Sequence, residues 1–212
     1  MRKSLYKTCT NRHLFRNNIK NKCGRPFKLS SKQPLLRCDN LRMRILKLSK
    51  DTEIKPFKSE DKDLNDFLVS DAKNYSDALL AVTYLIEEGN ECAAYFSLLN
   101  DRILMDEEEK SIWNRVNRLI KNNKRRKSYP AIKIGRLAVA EKYSHKGYGS
   151  QILQFVQYLY TQREQYAGCR FVTVDAYDNA LGFYEKHGFK FLTTKDTGQR
   201  TRVMYFDLKN VL

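Results

Sequence analysis

The 212 residues carry 40 Lys and Arg against 24 Asp and Glu, which gives a formal net charge of +16. Hydrophobic residues make up 42% of the chain, and this excludes a wholly disordered protein. No stretch approaches 18 consecutive apolar residues, so the sequence predicts no membrane span. The five cysteines show no metal or disulfide spacing, and Cys92 and Cys169 lie inside apolar runs. We therefore expect buried free thiols, no metal site, and a reducing, cytoplasmic compartment.

The positive charge is concentrated in the first fifth of the chain. Residues 1–42 hold 12 basic residues and one acid, Asp39, a net charge of +11. They show no helical or strand period, which predicts a disordered leader. Four explanations for this leader stay open: a nucleic-acid-binding arm, an organelle transit peptide, a plain solvated tail, or a start-site error with Met43 as the true start.

Residues 43–212 read as one mixed α/β domain, because short apolar strands alternate with amphipathic helices. A Gly89-Asn90 pair between two apolar runs predicts a tight hairpin, and Asp106 is a candidate helix cap. The predicted order is β-α-β-β-α-β-α-β-α-β-β. In that order, the elements are expected over residues 43–48, 59–75, 80–87, 92–99, 106–121, 131–139, 149–165, 170–176, 178–187, 189–193 and 202–208.

An anion-binding turn is predicted where an apolar strand runs through a polar turn into Gly147-Tyr148-Gly149, which opens a helix. Free N–H groups and the dipole of a helix N-terminus favour a phosphate there, and Lys146 adds a full charge. The alternative is a tight strand–helix connection that needs glycine for steric reasons alone. A P-loop is excluded because Ser150 follows Gly149 directly, and a dinucleotide fingerprint because Ile152 stands where Gly or Ala is required.

Two segments resemble motifs of the GNAT acetyltransferases. Ser144-His145-Lys146-Gly147-Tyr148-Gly149 is similar to the acyl-CoA motif of that family, Gln/Arg-x-x-Gly-x-Gly/Ala. Ser144 departs from the motif, which removes one side-chain contact with the pyrophosphate. Residues 178–189 resemble a later motif of the family, with Ala180, Phe183-Tyr184 and Gly188-Phe189. The resemblance covers residues 43–212 and says nothing about residues 1–42.

The resemblance implies a GNAT fold of the mixed α/β class. Such a fold has a mostly antiparallel sheet of six to seven strands, a splayed parallel pair and about four flanking helices. It also implies acetyl-CoA as cosubstrate and direct attack of an amine on the thioester. The acetyl-CoA-binding residues expected from the family are Leu137, Ala138, Val139, Ser144, His145, Lys146, Gly147, Tyr148, Gly149 and Ser150.

Tyr184 matches the family tyrosine that protonates the departing thiolate. Without the family resemblance, Tyr184 would be interpreted as an aromatic residue of the core beside Phe183. The N–H of Val139 is the expected oxyanion donor. The general base stays open among Glu141, Asp175, Tyr177 and a water chain, while His145 and His187 are expected to be a loop donor and a helix-end residue.

The acceptor is predicted from a second resemblance. The acetyltransferase toxins of toxin–antitoxin pairs have segments that look like residues 63–75, 81–85, 94–98 and 135–139. Those toxins acetylate the amino group of aminoacyl-tRNA, so the resemblance implies a tRNA substrate and an antitoxin partner; the wider family often forms homodimers. A basic loop supports a phosphate contact, although it also fits a solvated loop or a contact with CoA. The candidate substrate residues are Arg136, Lys124, Arg125 and Arg126. The alternative function is a non-catalytic RNA- or ribosome-binding protein on the same scaffold.

Overall fold

The computed structural model describes residues 44–118, 120, 126–162 and 167–211. The predicted leader, residues 1–42, lies outside the described residues, as do Met43, Lys124 and Arg125. No helix in the described ranges is long and apolar enough to cross a bilayer.

Within these described residues, seven strands form one sheet in the order β1-β2-β3-β4-β5-β7-β6. Every neighbouring pair is antiparallel except β4 and β5, which run parallel. The predicted sheet and its parallel pair are therefore confirmed. The strands are β1 (Arg44–Lys47), β2 (Val82–Glu88), β3 (Glu91–Leu104), β4 (Ser128–Val139), β5 (Phe171–Tyr177), β6 (Lys190–Phe191) and β7 (Thr201–Asp207).

Four helical segments flank the sheet in the predicted order. The first is a continuous run in which a π-helical turn, Phe67–Asp71, separates α1 from α2. The α-helices are α1 (Lys62–Asp66), α2 (Ala72–Asp77), α3 (Lys110–Arg118), α4 (Tyr148–Thr161) and α5 (Leu181–Lys186).

Several predicted element boundaries are wrong, and the two largest differences are at the start of α3 and the end of β3. Helix α3 begins at Lys110 and not after Asp106, because the Asp106 carboxylate accepts hydrogen bonds from the Glu108 N–H and from the Lys195 side chain. Strand β3 runs to Leu104 and not to Leu99, because it stays paired with β4 as far as Ser128. The second error follows from pairing with a distant strand, which the local pattern does not show.

Strands β4 and β5 separate halfway along their length. Their pairing ends at Ile134 opposite Val174, while β4 continues along β3 and β5 continues along β7. A β-bulge lies at this point, since Arg136 pairs with Ser97 and Ile134 with Leu98, which leaves Gly135 unpaired. The two strands thus form the splayed parallel pair that the resemblance implies, with a gap between their separated halves.

Both faces of the sheet are covered, and the gap opens between the covering layers. On one face, Phe155 and other residues of α4 pack with Phe96 of β3 in the largest buried cluster. On the other face, the α1–α2 segment packs over Tyr95, whose hydroxyl donates to the Leu64 carbonyl at 2.6 Å. Trp113 of α3 stacks on Tyr129 at 5.3 Å farther along the same face.

Candidate active site

The backbone of β4 offers free hydrogen-bonding groups to the gap. The Ala140 N–H donates to the Ala93 carbonyl at 2.9 Å, so the polar backbone groups of Ala140 face β3. Because these groups alternate along a strand, those of Leu137 and Val139 face the gap, where β5 has moved away. The side chain of Ala138 instead lies in the buried cluster under α1 and α2.

A cavity of about 600 Å³ occupies this gap. It is bounded by β4, the end of β5, the turn before α4, and the segment that leads into α1. The lining residues are Ser59, Glu60, Asp61, Lys62, Leu64, Leu137, Ala138, Val139, Glu141, Ser144, Tyr177, Asn179, Ala180 and Arg200.

The predicted anion-binding turn is shaped by two residues with positive φ. His145 has φ 59° and Gly147 has φ 87°, a conformation that glycine adopts without a steric penalty. The Gln151 N–H is bonded to the Gly147 carbonyl at 3.1 Å, so the N–H groups of Tyr148, Gly149 and Ser150 precede the first bond of the helical ladder. This turn therefore has the free backbone donors of a helix N-terminus, and its binding of a pyrophosphate stays a prediction.

The side chains of the turn are mostly engaged with neighbouring elements. The Tyr148 hydroxyl donates to Glu88 at 2.8 Å, and burial, followed by that hydrogen bond, raises the pKa of Tyr148 to about 12. A Cβ at Gly149 would lie 3.0 Å from the Phe183 ring, so only glycine lets α5 approach α4 this closely. The Lys146 ammonium lies exposed, 5.0 Å from the Tyr143 ring centre.

Tyr184 lies on α5 with 6% of its surface exposed. Its ring packs edge-on against Phe183 at 5.1 Å and Phe189 at 5.3 Å. Burial raises the pKa of the Tyr184 phenol well above its ordinary value of about 10. The phenol is therefore a neutral hydrogen donor over the whole physiological range of pH.

The three candidate bases lie in different places. Glu141 and Tyr177 line the cavity, whereas the Asp175 carboxylate pairs with the Lys133 ammonium at 2.5 Å. Glu141 lies 3.5 Å from the Lys58 ammonium, and its side chain is 43% exposed. Glu141 is thus the candidate carboxylate that contacts the cavity.

The candidate substrate residues are only partly brought together. Arg136 lies on β4 beside the cavity, with its guanidinium 5.1 Å from the Phe67 ring centre and 3.7 Å from the Asp63 carboxylate. Arg126 is exposed before β4, whereas Lys124 and Arg125 lie outside the described residues.

A family model described as an acetyltransferase (GNAT) domain matches residues 100–191. This range contains the splayed part of β4, the anion-binding turn and Tyr184. The chain therefore contains a GNAT acetyltransferase domain. This domain makes it an acetyl-CoA-dependent acyltransferase. No curated protein matches the sequence significantly.

Solved structures of bacterial toxins share the fold. A structure described as a bacterial toxin has a TM-score of 0.67 at 15% identity, over 80% of this chain and 92% of the toxin. A tyrosine-to-phenylalanine mutant of the AtaT toxin has been solved bound to the C-terminus of the antitoxin AtaR and acetyl-CoA. It has a TM-score of 0.63 at 16% identity, over 80% of this chain and 95% of the toxin. AtaT complexed with acetyl-methionyl-tRNAfMet has a TM-score of 0.62 at 17% identity, over 80% of this chain and 96% of AtaT.

Sequence reasoning missed several residues of this GNAT cavity. Arg200 lies just before β7 with its guanidinium 5.2 Å from the Tyr177 ring centre, and both residues line the cavity. The segment from Ser59 to Lys62 and Asn179 line it as well. The family motif over residues 178–189 could have indicated that Asn179 lies near the site. Arg200 lies in a polar loop, and no pattern in its neighbouring residues indicates a place in the cavity.

Proposed function

We propose that this acetyltransferase transfers the acetyl group of acetyl-CoA to the amino group of an aminoacyl-tRNA. The observation that carries the proposal is the cavity at the gap between β4 and β5, because its lining combines free backbone groups and the cations of Lys62 and Arg200 with the carboxylates of Glu60, Asp61 and Glu141, which suit an amine. Arg136 adds a third cation beside it. A polyanionic acceptor with a terminal amine fits this arrangement. The fold shared with AtaT, which has been solved with acetyl-methionyl-tRNAfMet, supports the choice of acceptor.

We propose that acetyl-CoA is held by the backbone. The N–H groups of the turn from His145 to Ser150 bind the pyrophosphate, since a helix N-terminus with its first donors unpaired favours an anion. Backbone groups of Leu137 and Val139 face the gap and bind the pantetheine arm and the acetyl carbonyl. Ser144 lies at the cavity between these two parts.

The chemistry follows from these placements. The amine nitrogen attacks the thioester carbon, a C–N bond forms, and negative charge develops on the carbonyl oxygen. An N–H of the splayed strand, assigned to Val139, stabilises that charge, an effect of several kcal/mol in acyl transfer. The C–S bond then breaks, and the Tyr184 hydroxyl gives its proton to the departing thiolate. The proton of the amine passes to Glu141 on the cavity lining or to solvent.

The acceptor is tested by incubating the enzyme with labelled acetyl-CoA and total charged tRNA. Label is expected in an alkali-labile fraction that releases an N-acetyl amino acid. Deacylated tRNA is the control, because it keeps the phosphates and lacks the amine. Protein lysate and small amines are assayed in parallel. Label in either of these and in none of the charged tRNA would refute the acceptor.

The cations are tested in the same assay with Arg200→Gln. We expect the KM for charged tRNA to rise about tenfold, as for the loss of one hydrogen bond between charged groups, with the dissociation constant of acetyl-CoA unchanged. Arg102→Gln is the matched control, since Arg102 is an exposed arginine of β3 that does not line the cavity. A rise in the dissociation constant of acetyl-CoA for Arg200→Gln would show that Arg200 contacts CoA and not the tRNA.

We propose in addition that a protein antitoxin binds this enzyme, because AtaT has been solved with the C-terminus of AtaR. Co-expression with a small DNA-binding protein encoded next to the gene tests this partner. Isolation of a stable complex supports the proposal, and separate elution of the two proteins contradicts it.

A further inference from the structure

The first turn of α4 and the last turn of α5 meet at two points. The first point is steric, because Gly149 leaves room for the Phe183 ring against the α4 backbone. The same ring lies 4.6 Å from the His187 ring and 5.1 Å from the Tyr184 ring. The turn that binds pyrophosphate is thus in contact with the helix that carries the phenol.

The second point is polar and involves both ring nitrogens of His187. Nδ1 lies 2.7 Å from the Phe183 carbonyl oxygen, and Nε2 lies 2.9 Å from the Ser150 hydroxyl. A carbonyl oxygen only accepts, so Nδ1 carries the hydrogen of the neutral ring. Nε2 is then the acceptor, and the Ser150 hydroxyl donates to it; this tautomer is assigned from the hydrogen-bond network.

His187 is also connected to Tyr184 through the backbone. Its own N–H donates to the Tyr184 carbonyl at 3.0 Å, at the C-terminal end of the six-residue helix α5. One residue therefore links the Ser150 side chain to the main chain of Tyr184. The N–H of Ser150 is one of the donors that face the anion, so a ligand at the turn also fixes one end of this link.

We propose that His187 is a positioning residue that couples acetyl-CoA binding at the turn to the placement of Tyr184. A bound pyrophosphate restrains the first turn of α4. The hydrogen bond from Ser150 to the His187 imidazole then restrains the end of α5 as well. Acetyl-CoA thereby restrains the end of α5, and with it the main chain of Tyr184, more tightly than packing alone. The proposal rests on the acetyl-CoA site of the proposed function and does not depend on the acceptor.

Three substitutions separate the two hydrogen bonds of the imidazole. His187→Asn keeps a short amide donor for the Phe183 carbonyl but does not reach Ser150. His187→Gln carries an amide oxygen that can reach the Ser150 hydroxyl, in place of Nε2. Ser150→Ala removes the hydroxyl and leaves the N–H of the turn intact.

The readout is amide hydrogen exchange of residues 181–188 in the full chain, with and without saturating acetyl-CoA. In the wild type, acetyl-CoA should slow this exchange by about fivefold, the lower end of couplings between distinct sites. The slowing should be lost in His187→Asn and Ser150→Ala and kept in His187→Gln. The double variant, His187→Asn with Ser150→Ala, should match either single one, because both remove the same link.

Two results would overturn the proposal. One is a slowing in Ser150→Ala equal to that of the wild type, and the other is an equal loss in His187→Gln and His187→Asn. Melting temperatures are measured alongside, and if His187→Asn does not fold, Ser150→Ala alone decides between the outcomes. Failure of charged tRNA as acceptor would leave this result standing, since acetyl-CoA is the only ligand used.

Discussion

Tyr184, the proposed general acid, has apolar surroundings. Phe183 and Phe189 pack against its ring, and the resulting desolvation disfavours the phenolate. A general acid must carry its proton when the leaving group departs, and a phenol with a raised pKa carries its proton throughout the physiological range of pH. Burial thus keeps Tyr184 in the form that the proposed step uses.

Replacing Tyr184 by Phe should lower turnover by about 10²- to 10³-fold, within the range that positioned acids contribute. The dissociation constant of acetyl-CoA should stay within about twofold, because the proposed cosubstrate contacts are backbone groups of β4 and the α4 turn. Turnover is measured as release of free CoA thiol, and affinity by calorimetry. Tyr160→Phe is the control, because Tyr160 is a tyrosine of α4 whose pKa is likewise raised by burial but which has no proposed role in the reaction. Equal turnover of Tyr184→Phe and the wild type would remove the acid role.

The pH profile gives an independent check of the same residue. The folded pKa of Tyr184 is raised, so its proton is present below the ordinary phenol value of about 10 and is lost only above it. Turnover of the wild type should therefore not decline between pH 8 and about 10 through loss of this acid. A descending limb in that range that disappears in Tyr184→Phe would contradict the raised pKa.

At the scale of elements, the sequence predicts most of the strands and helices but not the gap between two of them. Alternating apolar residues indicate β4, and Gly147 indicates the turn, because both depend on neighbours in the chain. The bulge at Gly135 depends on how β4 pairs with β3, and the gap depends on where its pairing with β5 stops. These are long-range properties, and for the same reason Arg200 was not predicted in the cavity.

The close approach of α4 to α5 makes Gly149 testable. Gly149→Ala places a methyl group 3.0 Å from the Phe183 ring, an overpacking that destabilises by about 1 to 3 kcal/mol and outweighs the gain in helix propensity of about 1 kcal/mol. The net loss is up to about 2 kcal/mol, so the melting temperature should fall by up to about 8 °C.

The matched background is Phe183→Leu, which removes the ring that the methyl group meets. In that background, Gly149→Ala should leave the melting temperature unchanged or raise it, because only the helix-propensity gain remains. A similar fall in both backgrounds would show that Gly149 is needed for another reason.

At the scale of the whole molecule, the net charge of +16 is a poor guide to function. A charge of +11 belongs to residues 1–42, whereas the proposed site depends on a few local cations, among them Arg136 and Arg200. The described strands and helices lie between Arg44 and Val211, and the proposed acetyl-CoA contacts lie among them. We therefore expect residues 43–212 to fold and to bind acetyl-CoA without the leader.

A chain that begins at Met43 should melt cooperatively, and acetyl-CoA at 100 times its dissociation constant should add about 2.7 kcal/mol of stability. For a domain of this size, that corresponds to a rise of about 5 to 10 °C. The full chain is measured beside it, and the two shifts should agree, because the proposed pyrophosphate and thioester contacts all lie after residue 136. A shift seen in the full chain alone would place part of the acetyl-CoA site, or of the folding unit, in residues 1–42. If charged tRNA binding weakens on truncation while the acetyl-CoA shift is kept, the leader is an RNA-binding arm and not part of the catalytic domain.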